Sequence, residues 1–170
     1  MLTKALQNTP SEGILFIGMA AAAMMNLQAH PGDLFTGSWK LCPEVSRLGN
    51  RVPQSWTQRL EVTGDAVSVQ EEMVFAGGAV MKTAAAAKFD GRDYPVQGSP
   101  LADTMAYTRV NEFQISGTGK KGGVITLTET AAVSSDGNTL TLTFCLHPGT
   151  PQAAESSAVF RRQPDTTLTR

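Results

Sequence analysis

From residue 35 onward, apolar and polar side chains alternate in short runs separated by turn-forming residues. Residues 35–41 begin it, with Trp39 and Leu41 on one face and Lys40 and Cys42 on the other. A period of two is that of a strand with one buried face. Residues 43–55 break the pattern: Pro43, Gly49, Asn50 and Pro53 bracket Val45–Leu48, predicting a loop with one helical turn across a barrel end. Trp56, Leu60 and Val62 then share a face, and Gly64–Asp65 turns the chain. Val67, Val69, Met73 and Phe75 alternate with Ser68, Gln70 and Glu72 up to Gly77–Gly78.

Residues 79–89 contain Ala84–Ala87, which favour helix by propensity. Gly77–Gly78 and Asp90–Gly91 fence them at hairpin distance, so a strand is expected. Tyr94–Val96 lead into a Gly98–Ser99–Pro100 loop. Residues 104–110 and 113–118 predict a hairpin, with a further turn at 120–123. In residues 124–133, Ile125 and Leu127 alternate with Thr126, Thr128 and Thr130. Asp136–Gly137 supplies the strongest turn, because that pair tolerates positive φ. Residues 139–147 follow as the cleanest alternation, then a last strand at 156–162.

About nine evenly spaced strands without an amphipathic helix describe a sandwich or a barrel. Consecutive hairpins favour the barrel, since closure removes exposed edges. The expected fold is therefore all-β, a single antiparallel up-and-down barrel of about 8–10 strands.

The 170 residues fit one domain. Residues 1–29 differ in kind: Lys4 gives a weakly positive start, and the apolar run Ile14–Met25 has the length of a signal-peptide core. Cleavage after Ala29 would open the mature chain at His30; the alternative is a buried N-terminal helix. This predicts a leader at 1–29, a barrel domain at 30–163, a flexible polar tail at 164–170, and a periplasmic or secreted location. No cysteine stands at the cut, which disfavours a lipid anchor, and no stable membrane span would remain. A net charge of −1 without a basic stripe gives no footprint for nucleic acid.

Several ordered segments resemble a known family. They are Gly37–Ser38–Trp39–Lys40–Leu41 with Ser46 and Pro53, then Phe89–Asp90–Gly91–Arg92–Asp93–Tyr94–Pro95–Val96 with Gly98, Pro100 and Asp103–Thr104. Arg109–Val110, Val133–Ser134 and Asp136–Gly137–Asn138–Thr139–Leu140–Thr141 continue the series. Together they resemble small bacterial exported lipocalin-like proteins over most of the span from Gly37 to Gln163. The resemblance implies an antiparallel barrel, usually behind a signal peptide, and no transferable activity. It implies that Trp39, in its Gly37-x-Trp39 element, plugs the closed end. Arg161 or Arg162 would pack across it by a cation–π contact; the alternative is two solvated arginines.

Candidate chemistry is sparse. Cys42 and Cys145 permit one disulfide in an exported protein, although their spacing does not decide pairing. Cys145 and His147 would share a strand face, as a nucleophile and base might, but on the polar exterior and without an orienting third group. A metal site of Cys42, Cys145 and His147 competes with the disulfide. Glu71 and Glu72 point to opposite faces and make no acid–base pair. Gly117, Gly119, Gly122 and Gly123 read as hairpin glycines. The expectation is a non-enzyme without cofactor or metal. A small apolar or amphipathic ligand would lie among Trp56, Leu60, Phe75, Tyr107, Phe113 and Phe144, oriented by Tyr107 or Tyr94. The alternative is a filled barrel acting through its surface as an envelope interaction or structural module.

Overall fold

A computed structural model describes residues 32–49 and 52–164. The expected leader at 1–29, its cut before His30 and residues 165–170 of the tail lie outside the described residues. The fold is all-β, a closed antiparallel barrel in up-and-down order. Its strands are β1 (Gly37–Leu41), β2 (Ser55–Thr63), β3 (Ala66–Val74), β4 (Val80–Lys88), β5 (Tyr94–Gln97), β6 (Thr104–Asn111), β7 (Gln114–Lys121), β8 (Val124–Val133), β9 (Thr139–Leu146) and β10 (Ala154–Arg162). All neighbours run antiparallel, and β1 pairs with both β2 and β10 to close the wall. Closure leaves no long unpaired edge, as the meander of hairpins predicts. The expected helical turn is a 3-10 turn at Pro43–Val45.

The alanine run is strand. β3 and β4 pair residue for residue from Ala66↔Lys88 to Val74↔Val80. Cross-strand pairing thus overrides a helix propensity of a few tenths of a kcal/mol per residue (~0.5). Three details depart from the sequence reading. First, β7 runs on past residue 118 to Lys121, so that Gly119 joins Gly117 on the strand's buried face and only Gly122 and Gly123 form the turn. Second, the register shifts so that Lys120 pairs with Ile125 but Gly119 with Leu127. That bulge at Thr126 breaks the alternation, and Ile125 is exposed at the rim while Leu127 packs inward. Third, β9 ends at Leu146, and His147 turns out of the strand with φ 49°.

Up-and-down order sends alternate connections to opposite ends. The turn at 64–65, the 134–138 turn and the approach to β1 share one end. That end holds the fully buried Trp39, Phe35, Phe160 and Leu140. Trp39 Nε1 donates to the Phe35 carbonyl at 3.0 Å. The Arg162 guanidinium stacks on Trp39, 4.2 Å from the ring centroid, and donates to the carbonyls of Leu34, Thr36 and Gly137. Register puts Arg162 directly opposite Trp39. Its neighbour Arg161 is exposed and donates to Thr139 Oγ1. Gly37 adopts φ 144°, and a Cβ there would overlap the Arg162 guanidinium, so glycine is required. Beside this plug Arg109 pairs with Asp33 and lies against the rings of Phe35 and Phe89. The plug forms the floor of everything above it.

Candidate functional site: the barrel cavity

Above the plug the barrel encloses a cavity of about 640 Å³. Its volume is made by small side chains. Ala84 and Ala85 line it from β4, and β7 presents Ile115, Gly117 and Gly119 to the interior, so much of that wall lacks side chains. Leu48, Gly49 and Pro53, Phe75, and Ser99–Pro100–Leu101 bring the loops of the opposite end to the cavity, which places the mouth there. The Ser99 hydroxyl accepts from the Leu101 and Ala102 amides, fixing one side of that mouth.

Trp56, Leu60, Phe75, Tyr107 and Phe144 line the cavity. Phe113 does not: it packs against the core beyond Asn111, at the plugged end. Tyr94 also lies off the cavity, its hydroxyl donating to Asp90 Oδ2 at 3.0 Å. Trp56 meets Phe160 edge-on at 5.1 Å and Phe144 at 6.2 Å, building an aromatic wall.

The lining also holds polar groups that the sequence reading passed over. Gln58 is buried, with 5% of its surface exposed. Its Nε2 donates to Glu71 Oε1, while Thr83 Oγ1 donates to Glu71 Oε2 at 2.8 Å. These three residues face one another across β2, β3 and β4, where Gln58↔Glu71 and Glu71↔Thr83 are register partners. Across the cavity Tyr107, Gly117 and Glu129 form a second row on β6, β7 and β8. Gly117 has no side chain, so the tyrosine ring and the carboxyl close over it. A Cβ at that position would lie 2.8 Å from Glu129 Oε1 and 3.0 Å from Tyr107 Cε1.

Burial governs the protonation of this band. It pushes the Glu129 carboxyl up to about 8, with repulsion from Glu71 adding to the effect. Glu71 is also raised by burial, against the opposing pull of its bonds from Thr83 and Gln58 and the nearby Trp56 indole. The Tyr107 hydroxyl is raised well above 10, by burial first and then by Glu129 and Glu71. At neutral pH, Glu129 is therefore mostly a protonated acid, able to donate as well as accept. Both glutamates were legible in the alternation: Glu71 is in phase with Val69 and Met73, and Glu129 with Leu127 and Ala131.

The remaining candidates disperse. Cys42 and Cys145 are free thiols. Cys42 donates its amide to Val159, whose β9 partner is Thr141, four positions from Cys145. Four residues of strand are roughly 13 Å, beyond the Cα separation of about 7 Å that a disulfide tolerates. The disulfide is thus excluded by register in this structure. The same register separates the thiols of the imagined metal site. Among the described residues no group of three or more His, Cys, Asp or Glu gathers as metal ligands. His147, turned out of the strand, does not share a regular face with Cys145.

No protein-family model and no curated protein matches the chain. Among solved structures it is similar to apocrustacyanin C2 and to lobster apocrustacyanin A1, each at 12% identity with a TM-score of 0.42 over 80% of this chain. The chain spans 64% of the length of each apocrustacyanin. It is also similar to the siderocalin Ex-FABP, which functions through dual ligand specificities. There identity is 9% and the TM-score 0.35, over 76% of this chain and 74% of the other. These likenesses are distant, and the description of the barrel stands on its own strand order and plug.

Proposed function

We propose that this chain is an exported binding protein whose barrel takes one small apolar or amphipathic molecule. The observation that carries the reading is the cavity itself. Its 640 Å³ fall in the range of small-molecule sites (about 300–1,000 Å³), with an apolar lining and a few convergent polar groups. Binding would proceed by burial of the ligand's apolar surface against Trp56, Leu60, Phe75 and Phe144. Tyr107 would supply a hydrogen bond for orientation. A filled barrel acting only through its surface leaves that open interior unexplained. The function proposed is binding and not catalysis. Export rests on the leader pattern at 1–29, and the mass of protein recovered from a periplasmic or secreted fraction tests it; a chain starting at His30 is expected.

The binding test uses N-phenyl-1-naphthylamine, a neutral apolar dye that brightens on leaving water. One equivalent is expected to bind the folded protein. Ala85→Phe, which fills the interior from β4, is expected to weaken binding about tenfold or more, a loss of about 1.4 kcal/mol. A folded wild-type barrel that leaves the dye dark would contradict the reading.

A further inference from the structure

The cavity lining includes Glu71, Glu129 and Glu155 and, among the described residues, no lysine, arginine or histidine. Buried carboxyls in proteins are ordinarily neutralised by a cation or saturated by donors. Glu71 meets the second condition in part, through Gln58 and Thr83. Glu129 accepts no hydrogen bond among the described residues, although it lies deep enough for burial to dominate its chemistry. A second group is also unsatisfied. Trp56 is 5% exposed, lines the same cavity, and its Nε1–H has no hydrogen-bond partner among the described residues. The indole lies close enough to Glu71 to favour that carboxyl's ionised form without closing a hydrogen bond. The register partner of Glu129 on β9 is Phe144, which packs on Trp56, so aromatic rings adjoin the carboxyl.

We propose that the cavity selects a molecule with an apolar body and one cationic nitrogen, an alkyl- or arylalkylammonium, whose head sits between Glu129 and Glu71 beside Tyr107. This rests on the reading of the cavity as a ligand site. An ammonium supplies the positive charge that the protein leaves out, and its hydrogens have Glu129 and the Tyr107 oxygen as acceptors. The aromatic wall adds the quadrupole attraction that rings offer cations. An anionic amphiphile finds no base to receive its charge and would hold both carboxyls in their protonated forms, whereas a cation favours their ionisation. A neutral alcohol gains the apolar contacts and a neutral hydrogen bond, without the charge pairing that makes such bonds strong.

The test is competition by decylamine, 4-phenylbutylamine, 1-decanol and decanoate against bound N-phenyl-1-naphthylamine at neutral pH, on the full chain. Decylamine is expected to displace the dye at least about tenfold more readily than decanol, with decanoate weakest. The phenyl compound shows whether the alkyl or arylalkyl class is preferred. Glu129→Gln keeps the shape and is expected to erase the amine preference while the dye itself still binds. Calorimetry in two buffers of different ionisation enthalpy should show a proton released as the amine binds. If the dye binds but amine and alcohol compete equally, the cation selectivity is wrong and the cavity reading stands. If the folded protein binds no dye, the cavity reading falls and this inference with it. An amine preference that survives in Glu129→Gln would overturn the assignment of the site to that carboxyl.

Discussion

The two ends of the barrel handle buried charge in opposite ways. At the plugged end each cation has a designated place. Arg162 spreads its donors over three carbonyls and its face over Trp39, and Arg109 pairs with Asp33 between two phenylalanine rings. Among the described residues lining the cavity the acids are present and the cations are not: Glu129 has no donor, and Glu71 has only neutral ones. Satisfied polar networks rigidify a core, whereas a carboxyl left unpaired in a low-dielectric site costs stability. The plug is built for stability, and the cavity holds back some of it.

That contrast is broken most severely at the plug. Trp39→Ala is expected to cost about 3–5 kcal/mol, as large-to-small changes in a packed core do. Arg162→Ala, which strands the carbonyls of Leu34, Thr36 and Gly137, should fall near 3 kcal/mol or above. Urea denaturation measures both. In the cavity the sign should reverse. Glu129→Leu is expected to stabilise the ligand-free barrel by about 1 kcal/mol at pH 8, since it removes a half-buried carboxyl without a donor from an apolar lining. A loss of that size instead would mean that Glu129 holds the wall together.

The same carboxyl gives the barrel a pH dependence. In the unfolded chain a glutamate loses its proton near 4.5, while Glu129 in the fold keeps it up to about 8. Between these values the folded state binds more protons, so stability falls as pH rises, by up to about 1.4 kcal/mol per pH unit. Above about 8 this contribution levels off. Glu71, also raised, acts in the same direction. Thermal melts of wild type and Glu129→Gln across this range should diverge, with the variant flatter.

Smaller effects sharpen the boundary between the two regions. Phe144→Ala should weaken dye binding several-fold, while Phe113→Ala, outside the cavity, should leave it unchanged and reduce stability alone. Arg161→Ala should change stability by less than about 0.5 kcal/mol, as exposed pairs do, against the large cost at Arg162.

Most of the wall was legible in the sequence because a period of two and its turn residues are local signals. Even the Ala84–Ala87 run resolved correctly, since the glycine turns on either side outweighed its propensity. Arg161 and Arg162 could not be told apart, because the choice depends on the register between β1 and β10, from opposite ends of the chain. The imagined Cys42–Cys145 bridge failed for the same reason. The polar band of the cavity was missed differently. Glu71 and Glu129 occupy inward phases, but Glu71 was read only against its neighbour Glu72 and Glu129 was not singled out; carboxylates on a strand are ordinarily solvent-facing. Gly117 was read only as a hairpin glycine, although its use is to let Tyr107 and Glu129 meet. The bulge at Thr126 leaves no local mark in sequence.

The most direct measurement is the carbon-13 NMR titration of the Glu129 side-chain carboxyl in the folded, ligand-free protein. The account predicts a midpoint near 8, falling when decylamine is bound. A midpoint near 4.5, the value for a solvated glutamate, would contradict it, because the carboxyl would then be neither desolvated nor short of a positive partner.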